Sequence, residues 1–270
     1  MTSDQEVREL LNVALVASKA AEKVILSYFE TSLSIEWKED NTPVTIADKG
    51  AEEAIRKVFA KETPEFGIVG EEFGAEGESA EYKWVIDPID GTKAFMRGVP
   101  LFGTLIGLHH KDVSLVGIIG LPALHHTLFA GKGLGAMVDG QRVHVSNVDK
   151  LNSGLALSGT INTFDHCGYS LNFEAYRKSA LMYRGWGDCY GYYLVATGRA
   201  EAMVDPTVSL WDVAAFPCIL NEAGGKFSTL SGEIELFNAA GEPLHAIHEG
   251  YTGMATNGLV HSEVLAHFKK

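Results

Sequence analysis

Near the N-terminus apolar side chains recur at helical spacing. Val7, Leu10, Leu11, Ala14, Leu15, Ala21, Ile25 and Phe29 share one face with the small Ser18, which predicts an amphipathic helix over residues 4–29. Ser3 and Glu6 have the spacing of a capping box at its start. A second helix is predicted from about Thr45 to Ala60, carried by Ile46, Ala51, Ile55, Val58 and Phe59. Tyr82–Ile86 reads as a buried strand ended by Pro88, which cannot donate to a ladder. The pattern then changes to short apolar or alternating runs at Leu101–His109, Val113–Leu121, Thr127–Ala130 and Ala136–Val145, an antiparallel meander with Asp139-Gly140 as a two-residue hairpin. Beyond a composition break near Asn147–Ser153, strands are predicted near Leu155–Ser158, Ala202–Val204 and Lys226–Thr229. They alternate with helices near Phe173–Tyr183, Asp188–Thr197, Trp211–Ala223 and Leu259–Phe268, of which the third should be kinked or shifted by Pro217. The pattern predicts a layered α/β fold with mixed sheets in two halves, residues 1–148 and 149–270.

Composition narrows the setting. At 270 residues and 46% apolar, the chain can build a sizeable core. It has no uninterrupted apolar run of about 18 residues, so no membrane span is expected. Its first residues, Met1 to Leu10, lack the basic-then-apolar pattern of a secretory leader. Cys167, Cys189 and Cys218 are few and dispersed, which points to a reducing cytoplasm and away from a disulfide framework or a zinc cluster. A net charge of −13 disfavours nucleic acid as a partner. It also fits a phosphate-ester substrate poorly unless bound cations invert the local field.

Candidate chemistry concentrates in Trp84-Val85-Ile86-Asp87-Pro88-Ile89-Asp90-Gly91-Thr92. A buried strand delivers Asp87 at its end, and Asp90-Gly91-Thr92 opens a turn or helix whose free N–H groups could hold a phosphate oxygen. Convergent carboxylates of this kind suit a hard divalent cation such as Mg²⁺. An Asp N-cap followed by a turn is the plainer alternative. Three more acids stand near element boundaries: Glu71 in a Gly-flanked loop, Asp212 at a helix start where the dipole alone would explain it, and Asp48, three residues after Thr45 in a second capping-box spacing.

Together these stretches resemble the inositol monophosphatase superfamily of lithium-sensitive, magnesium-dependent phosphatases. The resemblance is carried by Lys38-x-Asp40-x-x-Pro43-Val44-Thr45-x-Ala47-Asp48, Gly70-Glu71-Glu72, Asp87-Pro88-Ile89-Asp90-Gly91-Thr92, and Trp211-Asp212-x-Ala214-Ala215 followed by Glu222-Ala223-Gly224-Gly225. It covers nearly the whole chain, ending with Ala255-x-Asn257 and the final helix. It implies an α-β-α-β-α sandwich. It also implies that Glu71, Asp87, the Ile89 carbonyl, Asp90 and Asp212 ligate two or three Mg²⁺. Thr92, with Asp48 and Glu71, would serve the attacking water, and the Gly91 and Thr92 N–H groups would hold the phosphate. The substrate would be a small phosphorylated metabolite, and a homodimer is expected. An acidic pocket loaded with Mg²⁺ becomes an anion site, which resolves the charge conflict.

Gly185-Trp186-Gly187-Asp188-Cys189-Tyr190-Gly191-Tyr192 and Pro100-Leu101-Phe102-Gly103-Thr104-Leu105-Ile106 resemble the histidinol-phosphate phosphatase branch. Histidinol phosphate carries an ammonium and an imidazole near its pKa, with which Asp188 and Asp205 could pair. The alternative for Asp188 is a helix N-cap, and the alternative substrate is an inositol or sugar phosphate. Other features carry less weight. His109-His110 and His125-His126 cannot chelate together on a strand, where neighbours face opposite ways. Tyr190 and Tyr192 read as core, and Cys189 as a small packing residue.

Overall fold

The computed structural model describes residues 2–31, 35–37, 43–248 and 250–269. Lys38 and Asp40 of the first matching stretch lie outside them. The chain opens with α1 (Asp4–Tyr28), in which the Ser3 side chain accepts the Glu6 N–H. The short strands β1 (Ile35–Trp37) and β2 (Pro43–Thr45) lead into α2 (Ile46–Glu62), capped by Thr45. There follow β3 (Gly67–Gly70), β4 (Gly74–Glu76), β5 (Tyr82–Asp90) and the five-residue α3 (Thr92–Met96). The meander is β6 (Gly103–His110), β7 (Val113–Leu121), β8 (His126–Gly131), β9 (Gly135–Val138) and β10 (Gln141–Arg142). Asp139 and Gly140 both take positive φ, 50° and 83°, as a two-residue hairpin turn requires.

The second stretch contains β11 (Leu155–Ser158), α4 (Ile161–His166), α5 (Ser170–Ser179) and β12 (Met182–Arg184). It continues with α6 (Asp188–Ala196), β13 (Ala202–Val208), α7 (Leu210–Val213), α8 (Phe216–Ala223), β14 (Lys226–Ser228), β15 (Tyr251–Thr256) and α9 (His261–Phe268). An eight-stranded sheet has the order β10-β9-β8-β7-β6-β5-β3-β4, and a five-stranded sheet the order β12-β11-β13-β15-β14. Both are mixed: β3 with β5, and β11 with both β12 and β13, are parallel, and the other pairings are antiparallel. One apolar cluster lies between α1, α2 and the first sheet. A second fills the space between the sheets around α6, α7 and α8, and a third packs α4, α5 and α9 on the outer face of the second sheet. The architecture is the α-β-α-β-α sandwich.

Four details differ from expectation. The helix predicted over Phe173–Tyr183 stops at Ser179, and Tyr183 belongs to β12, where pairing with β11 overrides helical spacing. Pro217, expected to kink or shift its helix, stands in the first turn of α8 and goes further, dividing the one predicted helix into two with a break at Ala214–Ala215. The short α4 and the strand β15 have no clear sequence signal. Finally, β5 continues through Pro88 to Asp90, because Pro88 occupies an irregularity where no ladder donor is needed.

Candidate active site

That irregularity is what builds the site. Asp87 pairs with Leu105 and Asp90 with Gly103, so β5 has one residue more than β6 over this interval. On a regular strand residues three apart point to opposite faces. One extra residue restores them to the same side, and a bulge is a common way to re-aim a side chain. Thr104 Oγ1 pins the bulge by donating to the Pro88 carbonyl at 2.9 Å. The Asp87, Asp90 and Asp212 carboxylates all offer an oxygen within 4.8 Å of one another. Asp212 comes from α7, where its Oδ2 accepts the Ser209 N–H at 2.7 Å.

Glu71 lies just beyond Gly70 of β3, and its N–H donates to the Ile86 carbonyl at 3.2 Å, beside Asp87. It is outside the three-carboxylate cluster, yet its charge acts on Asp87 and Asp212. Asp48 both caps and reaches the site. Its Oδ2 accepts the Thr45 N–H at 2.7 Å and the Thr45 hydroxyl at 2.6 Å, while Oδ1 is 3.4 Å from Thr92 Oγ1. The Thr92 hydroxyl is 3.0 Å from the Ile89 carbonyl and, with one proton, donates to only one of these acceptors at a time. Gly91 turns the chain into α3 with φ 83°; a Cβ there would lie 3.1 Å from the Leu101 carbonyl oxygen.

Burial raises the pKa of Asp87 well above its ordinary value, and the neighbouring charges of Glu71, Asp90 and Asp212 add to it. Burial does the same to Asp90, helped by Asp188 and Asp212 and opposed by the Cys189 N–H, which donates to its carboxylate. Asp212 is pushed up to about 7, mainly by burial. Asp87 Oδ1 is buried without a hydrogen-bond partner. A crowded set of hard oxygen donors, one of them orphaned, destabilises itself by repulsion and desolvation. A divalent cation relieves both, so the residues present fit Mg²⁺.

Beside the cluster lies a cavity of about 140 Å³ lined by Asp90, Asp212, Asp188, Asp205, Tyr192 and Thr160, among others. Asp188 is not an N-cap: Gly187 holds that position, and Asp188 follows it with a left-handed φ of 52°. Burial raises the Asp188 pKa against the attraction of Lys93. Both Asp205 oxygens already accept hydrogen bonds, Oδ1 from the Gly159 N–H at 3.1 Å and Oδ2 from the Tyr192 hydroxyl at 2.9 Å. Tyr192 is core, stacked on Phe216 at 3.8 Å, and Cys189 is fully buried. His109 is buried and His110 partly exposed, as their opposite faces require, whereas His125 precedes β8 in a left-handed conformation. A larger cavity of about 510 Å³ around His109, Lys132 and Phe227 contains none of the clustered carboxylates. Thr160 lines the smaller one with no local motif to announce it as a site residue, and Tyr192, read from the sequence as core, lines it too. Among the described residues no helix is long and apolar enough to cross a membrane.

A sequence profile described as the inositol monophosphatase family matches residues 6–268. The chain is 36% identical over 262 residues to a protein named histidinol-phosphatase from Mycobacterium tuberculosis, covering 95% of this chain and 96% of that one. It is 40% identical over 222 residues to one of the same name from Chlorobaculum parvum, covering 80% and 83%. The solved structure of an inositol monophosphatase from Zymomonas mobilis matches with a TM-score of 0.81 at 29% identity, over 97% of this chain and 98% of that one.

Proposed function

The chain belongs to the inositol monophosphatase family and is a phosphoric monoester hydrolase, and we propose that it is magnesium-dependent and converts histidinol phosphate to histidinol and phosphate. The observation that carries the substrate is the small cavity in which Asp90 and Asp212 face Asp188 and Asp205. A neutral polyol has little use for two further buried acids beside a metal cluster, whereas an amino alcohol bearing an imidazole supplies two cationic groups. The names of the two relatives agree with this choice.

In this reading Glu71, Asp87, the Ile89 carbonyl, Asp90 and Asp212 hold two or three Mg²⁺. Bound there, the cations would supply Lewis-acid charge to a water nucleophile, to the phosphoryl group and to the leaving oxygen. Asp48 and Thr92 orient the attacking water, consistent with the 3.4 Å between their oxygens, with Glu71 at the same water. The N–H groups of Gly91 and Thr92 hold the phosphate at the start of α3. Asp188 receives the substrate ammonium. Asp205 supports that end of the cavity from its fixed position between Tyr192 and Gly159. The water oxygen bonds to phosphorus, the ester P–O bond breaks, one water proton ends on the leaving oxygen to give histidinol, and the other stays with the released phosphate. We further propose a cytoplasmic homodimer.

A second reading, an inositol or broad sugar-phosphate phosphatase, draws on the likeness to the Zymomonas mobilis structure and on Lys93, whose charge offsets Asp188. Phosphate release from histidinol phosphate, inositol 1-phosphate, fructose 1,6-bisphosphate and adenosine 3′,5′-bisphosphate separates the readings. The proposal expects the highest kcat/KM on histidinol phosphate, loss of activity in chelator, recovery with Mg²⁺ and inhibition by lithium. Full activity in excess chelator would sink the mechanism. A preference for inositol 1-phosphate would promote the second reading.

A further inference from the structure

Helix α2 carries two buried carboxylates four residues apart, hence on one face: Asp48, 1% exposed, and Glu52, 0% exposed. Asp48 already belongs to the site. Glu52 points at the turn that bears Glu71. Its Oε2 accepts the Glu72 N–H at 2.8 Å, and its Oε1 accepts the Phe73 N–H at 3.3 Å and the Arg56 Nε–H at 2.8 Å. Arg56 in turn donates from Nη2 to the Gly74 carbonyl at 2.5 Å and pairs with Glu76 at 3.0 Å. The carboxylate sits so close to the turn that a Cβ on Gly70 would lie 2.0 Å from Glu52 Oε1. The turn between β3 and β4 is thus tied at Glu72, Phe73 and Gly74 to two adjacent turns of α2. The Glu71 N–H on the Ile86 carbonyl, next to Asp87, ties the same turn to β5.

We propose that Glu52, braced by Arg56, is a positioning residue that sets Glu71 against Asp87 for cation binding. The inference rests on the proposed role of Glu71 as a ligand. Charge explains why a carboxylate is needed. Two N–H groups and a guanidinium converge on one side chain, and only an acceptor-only group satisfies all three without offering a competing donor. Glu52 is the fully buried member of the pair, so its charge depends on the Arg56 guanidinium, and the two hold together as a unit. Helix α2 thereby places Asp48 and Glu71 with a single rigid element, and a shift of the helix moves both.

The test measures Mg²⁺ affinity by calorimetry on the folded full chain, with no turnover involved. Glu52→Gln is expected to raise the Kd for Mg²⁺ at least 10-fold and to speed amide exchange at Glu72 and Phe73. Glu71→Gln is expected to weaken Mg²⁺ comparably, and the double variant to be no weaker than Glu71→Gln alone, because both changes remove the same ligand. Glu53→Gln, on the exposed side of α2, is expected to bind Mg²⁺ like the wild type. Wild-type affinity in folded Glu52→Gln, or effects of the two substitutions that simply add, would overturn the inference while leaving Glu71 a ligand. Wild-type affinity in Glu71→Gln would overturn the ligand reading, and the inference with it. Should Glu52→Gln not fold, Arg56→Lys probes the same brace: it keeps the charge, loses the planar fork, and is expected to weaken Mg²⁺ several-fold, with unchanged affinity counting against the proposal.

Discussion

Tyr192 donates its hydroxyl to Asp205 Oδ2 at 2.9 Å, from a ring stacked in the core on Phe216. Asp205 is therefore a fixed wall of the cavity. Asp188, at the start of α6 with no capping bond, is the carboxylate better able to meet a substrate cation. This asymmetry separates their expected effects.

Asp188→Asn is expected to raise KM for histidinol phosphate about 10- to 100-fold, or ~1.4–2.8 kcal/mol, while sparing an uncharged-alcohol phosphate ester. The size lies between an exposed pair at ~0–1 kcal/mol and a desolvated one at about 3–5 kcal/mol. Asn tolerates the left-handed backbone that Asp188 adopts, so the melting temperature should hardly move. The decisive quantity is the ratio of kcat/KM for the two substrates, and an unchanged ratio would return the general monoesterase reading to first place.

Asp205 also makes stability depend on pH. Its pKa is pushed up to about 7 from an ordinary 3.8, chiefly by burial, with the Tyr192 hydrogen bond opposing. The unfolded chain gives up this proton near 3.8, so the stability that Asp205 contributes is complete below that pH and is lost as pH rises through about 7. His109 and His261, both pushed down to about 4 by burial, act in the opposite sense between about 4 and their ordinary 6.5. The wild-type slope alone therefore decides nothing. In chelator, the melting temperature of Asp205→Asn relative to wild type should be higher at pH 8 than at pH 5. A difference that is flat or of opposite sign would place Asp205 in a more hydrated setting than its burial implies.

Asp90→Asn removes one ligand charge with little change of shape. Turnover should fall roughly 10²-fold or more, since the electrostatic contribution of a bound cation to the barrier is several kcal/mol. Metal-free stability should hold or rise, because a neutral amide avoids the burial and like-charge cost that raises the Asp90 pKa. Near-wild-type turnover would make Asp90 a turn residue.

Thr92→Val keeps the branched shape and deletes the hydroxyl that lies 3.0 Å from the Ile89 carbonyl and 3.4 Å from Asp48. Turnover should drop while Mg²⁺ affinity, read by calorimetry, stays within about a factor of two. Loss of Mg²⁺ binding together with a lower melting temperature would instead assign Thr92 to holding the bulge.

Much of the fold was legible because its signals are local. The spacing of Val7 to Ile25 on α1, the Thr45–Asp48 cap and the Asp139-Gly140 turn each depend on residues within a few positions of one another. The acids of the candidate site were legible for a related reason: Asp90 ends β5, Glu71 follows the end of β3 and Asp87 precedes Pro88, so a breaker or turn signal and a carboxylate coincide in one short string. What the chain alone determined was therefore which residue types stand at which element boundaries. Only the tertiary structure decided how they meet. The bulge that aims Asp87 and Asp90 the same way exists through pairing with β6, and Asp212 joins them from 122 positions beyond Asp90 through the packing of α7. Glu52 reads in sequence as one more polar residue of an amphipathic helix, since its partners Glu72 and Phe73 lie 20 and 21 residues away on another element. Tyr183 and β15 escaped for the same reason: a strand's partner lies far off along the chain, and the hydrogen bonds that make it a strand leave no local pattern.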